Sequence, residues 1–175
     1  MKIRLISMRA LIEEAFFPER VLDYCSRCEN YNMHFACPNH QFNISALLNR
    51  YPFVLVISHN LPVNIDEYYY WRDIIDPILM GYENKLMGQS LLAGSCRNCD
   101  FCFNKGAQDC EFPQLLRYSL ESLGFDLSAL LAQFFNEELN FRTDNLNLVY
   151  GMLLKQRPDQ IYLSELEGEL LGISY

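Results

Sequence analysis

Apolar positions in this chain change their spacing along its length, and each change marks an element. Over residues 8–17 they recur at helical spacing, which predicts a short amphipathic helix that stops before Pro18. Residues 53–58, Phe-Val-Leu-Val-Ile-Ser, form a β-rich apolar run of strand length. Asp66 is placed to cap a helix through the tyrosine-rich segment that follows, and Pro77 to bend or restart it. Residues 81–92 continue as helix, or as helix passing into loop. Pro113 suits the first turn of a helix whose apolar face is Phe112, Leu115, Leu116, Leu120 and Leu123. Gly124 suits its stop, and Asp126 suits the cap of a second helix through residues 131–135. Residues 147–154 read as a strand, and the tail from Asp159 is polar and then mildly helical. This order predicts an α+β fold: a small sheet with packed helices and two cysteine-rich metal-binding loops at one edge, in a single domain over 1–175.

Composition adds a large core and narrows the partners. Half of the 175 residues are hydrophobic, with 12 Phe and 11 Tyr among them. No apolar run reaches the roughly 18 residues of a membrane span. The N-terminal residues 1–17 lack the ordered regions of a signal peptide. The expectation is a cytoplasmic protein with no membrane partner. The formal net charge of −8 leaves no basic stripe to neutralise phosphates, so nucleic acid is not an expected partner either.

The candidate chemistry lies in the polar segments between the predicted elements. All seven cysteines fall there, in two clusters: Cys25-x2-Cys28-x8-Cys37-Pro38, and Cys96-x2-Cys99-x2-Cys102-x7-Cys110. Cysteines placed to fill a core would scatter through apolar runs, and these sit among Arg, Asn, Asp, Glu and Gly. Seven is odd, and cysteines three apart on one turn are poorly placed to bridge each other, so a disulfide scaffold does not fit. Thiolates gathered on a short loop suit a metal or an iron–sulfur cluster.

The two clusters are unequal. Cys96, Cys99 and Cys102 repeat at a step of three, the run that bacterial ferredoxins use for three ligands of one [4Fe–4S] cluster. Cys110 is the natural fourth ligand, with Gly106 helping the chain loop back. No proline directly follows Cys110, so a ferredoxin fold is not implied. Zinc sites more often use separated C-x2-C pairs, and Zn2+ is the alternative occupant. Cys25, Cys28 and Cys37 supply only three thiolates. A fourth ligand is open between His34, His40 and a cysteine lent by the other cluster. A Cys3His zinc site would be closed; a [4Fe–4S] cluster on three cysteines would leave one iron open to water or substrate. One cluster or two are possible on this count.

Taken together, Cys25-x2-Cys28-x2-Tyr31, Cys37-Pro38, Leu92-Ala93-Gly94-Ser95-Cys96-x2-Cys99-x2-Cys102 and Cys110-x2-Pro113-x3-Arg117-Tyr118-Ser119-x-Glu121-x2-Gly124-Phe125-Asp126-Leu127 resemble the predicted metal-binding proteins of domain of unknown function 2284. The resemblance runs from about Tyr24 to Leu154. It implies metal or iron–sulfur binding through the seven cysteines and no settled reaction. Where the family often has Cys-Pro-Pro-Tyr, this chain has Cys37-Pro38-Asn39-His40, and where it often has Arg-Pro-Ser, this chain has Arg117-Tyr118-Ser119.

Several other residues have a plain structural reading. Arg117 and Glu121 are four apart and can pair on one helical face, or Arg117 can face the cluster and stabilise its negative charge. Asp126 is a cap before it is a catalytic acid. Tyr68-Tyr69-Tyr70-Trp71 reads as half core and half surface rather than as a ligand platform. His59 follows the apolar strand and is assigned no role. Three functions fit the cysteines: an iron–sulfur protein that passes electrons to a redox partner protein, a structural zinc interaction module, or an enzyme using an open-site iron–sulfur cluster. There is no GxGxxG, P-loop or HExxH motif and no Ser-His-Asp set, so an enzyme would rest on the metal alone.

Overall fold

In a computed structural model, residues 1–61, 65–100, 102, 109–142 and 145–173 are described. Their strands are β1 (Lys2–Ser7), β2 (Phe53–Leu61), β3 (Gly88–Leu91), β4 (Phe141–Arg142) and β5 (Asn145–Leu154). The helices are α1 (Met8–Ala15), α2 (Pro18–Cys25), α3 (Ile44–Leu48), α4 (Tyr68–Gly81), α5 (Glu83–Leu86), α6 (Leu127–Phe135) and α7 (Gln160–Leu171). The class is α+β. The sheet runs β1-β2-β5-β3 with every pairing antiparallel, and β4 folds back on β5. Phe53 stands opposite Leu154 and Leu61 opposite Leu146, so β2 and β5 pair along their length at the centre.

Strand residues alternate between faces, and helices cover both faces. Leu55, Ile57, Tyr150, Met152 and Leu154 pack against Ile75 and Leu79 of α4, Leu86 of α5, and Leu163, Leu166 and Leu170 of α7. Val54, Val56, Val149 and Leu153 pack on the other side against Leu11 and Ala15 of α1, Leu48 of α3, and Leu130, Leu131 and Phe135 of α6. Burial on both sides explains why β2 reads as a continuous apolar run rather than an alternating one.

Local signals set the helix ends. Ser7 accepts the Ala10 amide at 3.2 Å to start α1. Pro18 both ends the approach to α2 and opens it, its missing N–H costing nothing at that position. Asp126 accepts the amides of Ser128 and Ala129 and pairs with Arg20 at 2.9 Å, so the expected cap is present. Pro77 lies inside α4, which runs on to Gly81.

Other expectations differ. β1, β3, α2 and α3 are elements that the apolar spacing did not mark. Asp66 lies in a 3-10 turn, and Glu67, not Asp66, stands at the cap position of α4. More consequential is the segment 112–120, which is not helical; only a 3-10 turn at Glu121–Leu123 precedes Gly124. The reason lies in its hydrogen bonds. The Tyr118 carbonyl accepts the Leu92 amide, and the Gln114 and Leu116 carbonyls accept from the Arg117 guanidinium. The first serves a tertiary partner and the other two a neighbouring side chain, so none of them serves a helical ladder.

Candidate metal centre

Helix α2 delivers the first cysteine set. Cys25 is its last residue, and the chain then turns twice: the Cys28 amide donates to the Cys25 carbonyl, and the Tyr31 amide to the Cys28 carbonyl, each at 3.0 Å. The Asn32 amide donates to the Pro38 carbonyl at 3.0 Å, closing the loop and returning Cys37 toward the start. Asn32 takes a left-handed φ of 56°, which asparagine tolerates better than most residues.

The second set leaves strand β3 through Leu92-Ala93-Gly94-Ser95, a segment held from α4. Tyr68 Oη donates to the Ala93 carbonyl at 2.9 Å. The buried Arg72 donates to the Ser95 carbonyl at 2.9 Å and to Asp76 at 2.8 Å. Gly94 has φ +74°, and a Cβ there would run into Tyr68 Oη, so any side chain at this position is strained. Beyond it, Asn98 Nδ2 and the Cys96 thiol both donate to the Leu115 carbonyl. Arg97 pairs with Asp73 at 3.1 Å and lies 4.3 Å from the Tyr69 ring centre.

These supports place the cysteines around two neighbouring cavities. Cys96, Cys99, Cys102 and Cys110 line one of about 20 Å³, walled by Phe35, Ala36, Phe112, Leu115 and Leu116. Cys25, Cys28 and Cys37 line another of about 420 Å³, with Tyr68, Gly94, Ser119, Glu121 and Ser122 in its wall. The loops interlock. Ala36 walls the second cavity while Cys37 walls the first, and Ser95 walls the first while Cys96 walls the second. Consecutive residues are only about 3.8 Å apart at Cα, so the two sites adjoin.

None of the seven cysteines, all among the described residues, is in a disulfide, and Cys28 and Cys102 are exposed. Among the described residues, no three His, Cys, Asp or Glu side chains stand in a ready-made metal-ligating group. The donor chemistry nonetheless fits a thiophilic metal: four cysteines line one small apolar cavity, and three of the residues that line the other are cysteines. The thiols also act on one another. Burial pushes the Cys99 thiol up, and its neighbours Cys96, Cys110 and Cys102 push it further. Cys25 is pushed up to about 11, first by burial, then by the Glu121 carboxylate and Cys28. A bound cation would relieve both repulsions.

The chain belongs to the DUF2284 family of predicted metal-binding proteins. Its family pattern matches residues 11–154. That span covers both cysteine sets, the α4 supports and the central strands. Comparisons with curated proteins and with solved structures give no match.

Within this member of the family, the remaining expected residues take definite places. His34 Nε2 lies 3.2 Å from Asn30 Oδ1. His40 Nε2 donates to the Ser122 carbonyl at 2.8 Å, and its ring packs against Phe42 and Tyr118. His40 walls a separate cleft that also reaches Cys110. His59 is buried beside Trp71, and burial lowers its imidazole to about 4. Trp71 is core while Tyr69 and Tyr70 are exposed, as a half-core helix requires. Gly106 lies outside the described residues.

Arg117 and Glu121 do not pair with each other, because the helix that would align them is absent. Arg117 forms two bonds of 2.5 Å to Glu83, whose Oε1 also accepts the Ser90 amide. Glu121 turns instead to the cysteine loops. Its Oε1 accepts the Gly94 amide at 3.1 Å. Its Oε2 is buried and meets no donor at full hydrogen-bond geometry. Burial pushes its carboxyl up, opposed by its own amide, the Ser119 hydroxyl, the Gly94 amide and the Arg72 charge. Glu121, Tyr68 and Arg72 are functional supports that sequence reasoning missed; the Arg-x-Ser-x-Glu run marked Glu121 but assigned it the wrong partner.

Proposed function

We propose that the protein is an iron–sulfur protein of the cytoplasm with a redox role, passing electrons to or from a partner protein. The observation that carries this reading is the gathering of Cys96, Cys99, Cys102 and Cys110 around one apolar-walled cavity, in the C-x2-C-x2-C spacing of ferredoxin cluster loops. These four residues would hold a [4Fe–4S] cluster, which supplies one-electron chemistry when bound. Phe35, Phe112, Leu115 and Leu116 wall this cavity while Cys102 is exposed, and solvent exposure is one of the levers that set a cluster's potential. Cys25, Cys28 and Cys37 would hold a second centre adjoining the first. The net charge of −8 suits a basic docking partner rather than nucleic acid. No described helix is long and apolar enough to cross a membrane.

One observation favours a second reading. A cavity of about 20 Å³ has room for one water-sized body, which suits a single Zn2+ held by four thiolates in a structural site. Purification without oxygen separates the two. Iron and acid-labile sulfide in equal amounts, with brown colour and an EPR signal on reduction, support the cluster. A colourless protein with zinc and neither iron nor sulfide after anaerobic reconstitution overturns it in favour of zinc. Cys99→Ser should lose the metal of this site under either reading.

A further inference from the structure

A cleft of about 710 Å³ opens beside Cys110, with Asn32, Phe35, His40, Gln41, Phe42 and Tyr118 in its walls. A second cleft of about 420 Å³ shares Phe42 and Tyr118 with it and is also lined by Arg50. Both volumes fall in the roughly 300–1,000 Å³ of small-molecule sites. We propose that the joined clefts bind a mononucleotide: a planar heterocycle with donors and acceptors on its edge, and a single phosphate. This does not depend on the cysteines holding a metal.

Three kinds of group in the walls match the three parts of such a ligand. The rings of His40, Phe42 and Tyr118 pack on one another at centroid distances of 5.0, 5.2 and 5.3 Å, an aromatic wall on which a flat ring stacks. That wall is fixed in advance: His40 Nε2 donates to the Ser122 carbonyl, and the Tyr118 carbonyl accepts the Leu92 amide, each at 2.8 Å. The side-chain amides of Asn32 and Gln41 make no hydrogen bond to another described residue, and each offers donors and an acceptor to the edge of a heterocycle. Arg50 makes no ion pair among the described residues, and its planar fork fits a phosphate with two parallel bonds. Asp109 lines the first cleft, whereas no described Asp or Glu lines the second. The phosphate therefore belongs with Arg50 and the ring in the first cleft. One guanidinium and no P-loop suit a monophosphate rather than a triphosphate.

The test uses the full chain, purified without oxygen, with flavin mononucleotide and adenosine monophosphate as probes. Riboflavin and adenosine are their phosphate-free counterparts. Flavin fluorescence follows the first pair and titration calorimetry the second. At least one mononucleotide should bind saturably with a Kd below about 1 mM, and its phosphate-free counterpart about tenfold more weakly. Arg50→Met should abolish that difference and leave the phosphate-free counterpart's affinity unchanged. Phe42→Ala should weaken the mononucleotide and its counterpart alike, each about tenfold. Both side chains are exposed, so neither substitution should move the thermal midpoint. Binding of the flavin alone assigns a flavin ring to the cleft, and binding of the adenine nucleotide alone assigns a purine. No saturable binding of either probe would overturn the proposal, as would mononucleotide affinity unchanged by Arg50→Met or by Phe42→Ala. Iron, sulfide and zinc contents play no part in these readouts, so a failure here is distinct from a failure of the cluster reading.

Discussion

Gly94 carries more constraint than any other single residue near the sites. Its φ of +74° costs a side-chain-bearing residue roughly 1–2 kcal/mol, and the overlap of a Cβ with Tyr68 Oη adds a steric cost of about the same size. Gly94→Ala should therefore lower stability by roughly 3 kcal/mol in urea denaturation. The clash partner is one oxygen, so it can be removed. Tyr68→Phe alone gives up the bond to the Ala93 carbonyl, about 1 kcal/mol. The double variant should be less destabilised than the sum of the singles, by roughly 1 kcal/mol or more. Strict additivity would mean that Tyr68 and Gly94 do not touch. In the sequence, Gly94 appears only as part of the motif that leads into Cys96, without the reason for it. That reason is a tyrosine 26 positions earlier in the chain, and no local pattern can reveal it.

At the scale of elements, α4 acts as the bracket for the second loop. Tyr68, Arg72 and Asp76 recur every four residues and so share one helix face. That face meets the carbonyls of Ala93 and Ser95, just before Cys96. Arg72→Met would leave Asp76 buried without its partner, a loss of roughly 3–5 kcal/mol. Adding Asp76→Leu removes the stranded charge and should restore most of that stability. Metal retention should not return with it, because the Ser95 carbonyl still lacks its donor. If metal content follows stability in both variants, α4 supports the core and not the loop. Periodicity marked α1, α4, α6, β2 and β5 because their apolar faces pack on one continuous partner. It failed over 112–123, where Leu120 and Leu123 enter the core while Phe112, Leu115 and Leu116 wall the cysteine cavity. One set of apolar residues serving two partners mimics a single helical face. The cysteine clusters were legible because their spacing is local; the bond from the Gly94 amide to Glu121 was not, because it depends on a fold that brings distant segments together.

Across the whole molecule, the chemistry and the core are separate. The two apolar clusters on the sheet faces contain none of the seven cysteines, which lie at the end of α2 and on the loops beyond them. Metal binding should therefore order the loops while burial of apolar surface holds the sheet and its helices. Removing metal with a chelator under reducing conditions should leave far-UV circular dichroism largely intact. Trypsin cleavage after Arg27 and Arg97, one in each loop, should quicken several-fold. The interlocked walls make a further demand. Because Ala36 closes the second cavity and Ser95 the first, loosening either loop removes part of the other's wall. Cys99→Ser, which strikes the second set directly, should thus expose Arg27 as well as Arg97 to trypsin. Faster cleavage at Arg97 alone would show two independent sites. Collapse of the circular dichroism spectrum on chelation would show instead that the metal holds the whole fold, as it does in domains too small to bury a core.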